Sequence, residues 1–161
     1  MAEPAFTRST IDEYKARLTK ISVDTERQWG SMDATRMLRH LRFVFEASMG
    51  EEDTKGQAAP GTGLLPFIPG ARTLMYLLVF KWFTDWPKGN LKAPGNWTPA
   101  TDQSFDEEEK LLLQKMDQFI DQLESTPEKK AYSPLLGNIS LAKWSVVHGA
   151  HTNHHLKQFG V

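Results

Sequence analysis

Residues 146–161, VVHGAHTNHHLKQFGV, decide how the chain is read. Four of the five histidines fall here: His148, His151, His154 and His155. On a helix each residue advances by about 100°. His151 and His155, at i and i+4, are then neighbours on one face. Trp144, His148 and Gln158 fall within roughly 40° of the same line, and His154 lies to one side. A last helix is predicted from Ser140 to Gly160. Its inward face carries imidazoles where leucines are expected.

Helical periodicity dominates upstream as well. Ile11, Tyr14, Leu18 and Ile21 recur at helical spacing, with Thr10 and Glu13 placed as a capping box. Asp33 is a good N-cap for a second helix whose apolar stripe is Ala34, Met37, Leu38, Leu41, Val44 and Phe45. Ser104 and Glu107 form a second capping box. They precede a stripe of Phe105, Leu112, Met116, Phe119, Ile120 and Leu123, limited by Pro127. Residues 71–84 read as a short helix, apolar on most sides: a buried plug, a lid or a dimer face. Two Gly/Pro-rich stretches, around 50–70 and 85–99, read as loops. Strand signals are weak, since no hairpin dipeptide separates alternating runs. The expected fold is all-α: four main helices and one short extra helix in a bundle, one domain over 1–161.

The bulk numbers are those of an ordinary globular domain. Of 161 residues, 40% are apolar and 24% charged. A net charge of −1 leaves no electrostatic footprint for nucleic acid or an anionic membrane. The absence of cysteine excludes disulfides, thiolate ligands and a protein-borne catalytic thiol, and fits a reducing compartment. LMYLLVFKWF, residues 74–83, is too short to span a bilayer and contains Lys81. The N-terminus lacks the apolar run of a signal peptide. A cytoplasmic location is expected.

A buried neutral imidazole needs partners for both ring nitrogens. Several such rings on one inward face are costly unless a cation lies between them, and imidazole suits zinc, nickel, copper or iron. His151 and His155 supply two donors. The third must come from elsewhere, and His40, beside Met37, Leu41 and Val44, is the only histidine outside the C-terminal segment. Three protein donors leave coordination positions open, as in catalytic sites. Zinc or nickel heads the list of expected ions, ahead of iron and copper. His148 and His154 are candidate proton relays, and Gln158, Trp144 and Met37 candidate pocket residues. Against this stand plainer readings. A lone histidine at the edge of a stripe is usually a hydrogen-bonded structural residue, and histidine pairs are common on helix surfaces.

Four segments carry a family resemblance: WGSMDATRMLRHL (29–41), DWPKG (85–89), SPLLGNISLAKW (133–144) and HTNHHLKQFG (151–160). In this order they resemble DinB-like proteins, from Trp29 to Val161, with a poorly matched insert around 50–70. The resemblance implies a four-helix bundle with a long crossover between the second and third core helices. It also implies a metal held by His40, His151 and His155, and a homodimer. Some members of that family transfer groups to low-molecular-weight thiols such as bacillithiol or mycothiol. Two functions are therefore expected to compete. One is a metal-dependent enzyme, a thiol-dependent transferase or a hydrolase, acting on a small molecule. The other is a non-catalytic metal- or ligand-binding module.

Overall fold

A computed structural model describes residues 4–52, 54, 70–77, 97 and 99–161. Helix α1 spans Ile11–Leu18 and α2 spans Ala34–Met49. A short α3 (Ala71–Tyr76) and a long α4 (Phe105–Ser125) follow. Strands β1 (Lys130–Ser133) and β2 (Gly137–Ser140) lead into α5 (Leu141–Gln158). The described residues are thus mostly helical, with one two-stranded antiparallel sheet.

α2 is the hub, packing against α4, α5 and β1. It starts where expected: the Asp33 side chain accepts from Arg36 N at 2.8 Å, a cap worth about 1 kcal/mol. Gly50, at φ +80°, ends it in the left-handed conformation that glycine adopts without a Cβ clash. Ser104 likewise caps α4 through Glu107 N, and Ser140 caps α5 through Lys143 N. Thr10 does not form the predicted cap. Its hydroxyl donates to Ala5 O and accepts from Thr7 N, tying it to the segment before α1.

That preceding segment is clamped across α5. Phe6 N donates to Ser145 O and Ser145 Oγ donates to Phe6 O, at 2.9 and 2.8 Å. Pro4 O fills the space a Cβ would take at Gly149, so only glycine permits this approach. Phe6 itself is fully buried against Tyr14, Phe45 and Phe119.

An ionic network fastens α2 to α4. Glu108 occupies the stripe position between Phe105 and Leu112, fully buried. Arg42 grips it in a fork, Nε to Oε2 at 2.7 Å and Nη2 to Oε1 at 3.0 Å, and the Thr101 hydroxyl also donates to it. Burial opposes ionisation of Glu108, but these hydrogen bonds win and hold its carboxyl below the usual range. Removing one partner of such a pair costs about 3–5 kcal/mol.

The all-α expectation is corrected by the hairpin. β1 and β2 pair in the register Lys130↔Ser140 to Ser133↔Gly137, joined by Pro134–Leu135–Leu136. Gly137, at φ +74°, takes the left-handed position that closes a three-residue hairpin loop. A search for two-residue turn dipeptides passes over this arrangement, and four-residue strands are too short to show alternation. The short apolar helix is described only over Ala71–Tyr76, with no buried residue. Its expected continuation over 78–84 lies outside the described residues, as do 55–69 and, apart from Trp97 and Pro99, the loop 85–99. Among the described residues no helix is long and apolar enough to cross a membrane.

Candidate metal centre

Two helices bring three imidazoles together. α2 contributes His40 and α5 contributes His151 and His155. His151 Nε2 lies 3.0 Å from His40 Nε2 and 3.1 Å from His155 Nε2. The three ligand atoms all fall within 4.8 Å of one another. Nitrogens about 2.0–2.1 Å from one divalent ion sit roughly 3.0–3.4 Å apart, so the two short spacings fit a shared cation. The rings pack edge to face, with centroids 4.7–5.1 Å apart.

The far side of two rings is anchored. Trp97 O accepts from His40 Nδ1 at 2.5 Å. A carbonyl can only accept, so His40 carries its proton on Nδ1 and presents a bare lone pair at Nε2. His155 Nδ1 lies 2.8 Å from Gln158 Oε1. Gln158 Nε2 in turn donates to Trp29 O at 2.8 Å. His40 and His155 are 3% and 5% exposed, whereas His151 is only partly buried and opens the cluster on one side. Burial pushes all three imidazoles below their ordinary value, most strongly at His151 and His155, where neighbouring histidines add to the effect. All three are thus neutral near pH 7, the state that donates to a cation.

The remaining candidates fall in different places. Gln158 sits behind His155. His148 points into the aromatic core, stacked on Phe45 with centroids 3.9 Å apart and flanked by Phe119 and Trp144. Its Nε2 lies 2.8 Å from Ser48 Oγ. The Ser48 hydroxyl proton goes to Phe45 O, so His148 is the donor of that pair. Burial depresses His148 to about 3. Trp144 accompanies His148 and donates to Ala131 O; Met37 is fully buried in the core. His154 is partly exposed, edge-on to Trp29 and His155.

Sequence reasoning missed Trp97, the Trp29 carbonyl, Ser48 and the Arg42–Glu108 pair. Trp97 and Trp29 act through backbone oxygens, which every residue has and no motif records. Arg42 and Glu108 did leave a signal, as charges within or beside apolar stripes.

The comparisons correct the family assignment. The DinB-like resemblance is overturned, because the family model that matches is a distinct one. A histidine pair one turn apart, facing a third on a neighbouring helix, reports metal-type geometry and not ancestry, so short motifs misled. No curated protein and no solved structure gives a significant match. The model that does match, over residues 6–160, is DUF1569, a protein family of unknown function, and the chain belongs to that family.

Proposed function

We propose that this protein is a metal-dependent enzyme acting on a small molecule, with His40, His151 and His155 as ligands of one divalent transition ion. The carrying observation is the convergence of three Nε2 atoms, His151 standing 3.0 and 3.1 Å from its neighbours. Three neutral nitrogen donors favour zinc or nickel, with iron and copper as further fits. Such an ion is a Lewis acid that lowers the pKa of a bound water or thiol, supplying a nucleophile near neutral pH. The chain has no cysteine, so a thiol nucleophile comes from outside. Hydrolysis and thiol-dependent transfer are the two reaction classes that fit.

The chain's own residues do the positioning. Trp97 O and Gln158 orient two rings, and burial keeps all three neutral. His151 faces the accessible side, where a substrate enters. His154, partly exposed beside His155, is the histidine placed to pass a proton to solvent. His148 is sealed in the core and is not assigned that task.

The test uses untagged protein, stripped and reloaded with zinc or nickel, and X-ray absorption to count donors. Three imidazoles plus an exchangeable oxygen or sulfur, with metal-dependent turnover in a panel of esters and thiol-plus-electrophile pairs, is the expected result. Failure to take up either ion sinks the proposal. A fourth protein ligand and no exchange would instead assign the ion a structural role.

A further inference from the structure

Gln158 stands between the ion-facing cluster and the turn at 28–30, and its amide has a direction. Trp29 O can only accept, so the group 2.8 Å away must be the amide nitrogen. That leaves Oε1 on the other side, 2.8 Å from His155 Nδ1. Oε1 can only accept as well, so His155 must carry its proton on Nδ1. Reversing the amide would set two oxygens against each other at Trp29. The Trp29 carbonyl thus decides, through one side chain, which nitrogen of His155 holds the proton. This is the less usual form, since a neutral histidine in water prefers its proton on Nε2.

The turn is registered to the end of α5 by more than this bond. Gln28 N donates to Gln158 O at 2.7 Å. Gly30, at φ +82°, has no Cβ, and one there would overlap Gln158 Nε2. Arg27 Nε holds Gly30 O at 2.9 Å. Both the conformation and the empty space at Gly30 are needed for Gln158 to reach Trp29 O.

We infer that Gln158 is a positioning residue, and that the Trp29–Gly30 turn, by accepting from its amide, presets His155 as the Nδ1–H tautomer with the Nε2 lone pair aimed at the cluster before any ion arrives. The ion-binding consequence rests on the reading above; the tautomer does not. Outer-shell partners of ligating histidines are commonly worth about 10–100-fold in metal affinity. The 28–30 turn therefore tunes the site without touching it.

The test is nitrogen-15 NMR of the histidine rings in metal-free protein, paired with zinc competition titrations. Wild type should show His155 protonated on Nδ1. Gln158→Leu, checked for an intact fold by circular dichroism, should move the proton toward Nε2 and weaken zinc binding by about 10–100-fold. Gln158→Glu keeps an acceptor opposite His155 but sets an oxygen against Trp29 O, so it should hold the Nδ1–H form and bind zinc more tightly than Gln158→Leu but less tightly than wild type. Gly30→Ala, which displaces Gln158, should behave like Gln158→Leu. A wild-type His155 protonated on Nε2, or a Gln158→Leu protein with tautomer and affinity unchanged, overturns the inference. A wild type with the stated tautomer that takes up no zinc refutes the metal reading and leaves the tautomer assignment standing.

Discussion

His148 and His155 lie two turns apart on α5, both buried and both neutral, yet their surroundings differ completely. His148 gives its one N–H to Ser48 and spends the rest of its surface on Phe45, Phe119 and Trp144. It is an aromatic core residue with a single polar tether. His155 turns its N–H outward to Gln158 and its other nitrogen inward, toward His151 and, across the cluster, His40. Burial and a lowered pKa are common to both, so neither marks a site. The distinguishing feature is convergence: His155 Nε2 shares one point with the ring nitrogens of His40 and His151, whereas His148 Nε2 meets a single serine.

Ion uptake should break or confirm this contrast most sharply. His151→Ala removes one of three donors and should weaken zinc binding by more than the roughly 100-fold that marks the upper end for outer-shell losses. His148→Asn and His154→Ala should stay close to wild type in a chelator competition assay. Equal losses in His151→Ala and His154→Ala would mean the donors sit on another face of α5.

A smaller effect is expected on stability. An ion that binds only the native state at a hundredfold excess over its Kd adds about 2.7 kcal/mol. For a chain of this size that is a rise in Tm of roughly 5–10 °C on loading. Calorimetry of stripped and reloaded protein measures it, and an unchanged Tm after verified loading would contradict a site formed by folding.

The effect that is smallest per pH unit sharpens the His148 side. Its native pKa is near 3, and a histidine in the unfolded chain titrates near 6.5. Between these values the unfolded state binds a proton that the native state refuses. Stability therefore falls as pH drops from about 6.5 toward 3, by about 1.4 kcal/mol per pH unit for each such histidine. His148→Asn should flatten the slope of urea-derived stability against pH by one histidine's share. An unaltered slope would mean that His148 titrates normally in the folded protein.

Much of the helical frame was legible because its signals are local. Asp33, Ser104 and Ser140 cap helices where their side chains can reach backbone N–H groups within three residues. The apolar stripes of α2 and α4 became the core. The i, i+4 spacing of His151 and His155 likewise needs nothing beyond helix geometry. The hairpin was not legible, because its two strands are stabilised by each other and by α2 and α5, and neither strand is patterned enough alone.

The sequence by itself determined which residue types were available for metal chemistry: five histidines, no cysteine, and a pair one turn apart. Only the tertiary structure decided that His40 meets that pair, that His148 does not, and that Trp97 and Trp29 supply the oxygens behind the rings. The reason is physical. Spacing along a helix is fixed by its pitch, whereas a contact between α2 and α5, or with a loop carbonyl, depends on how side chains fill the space between them.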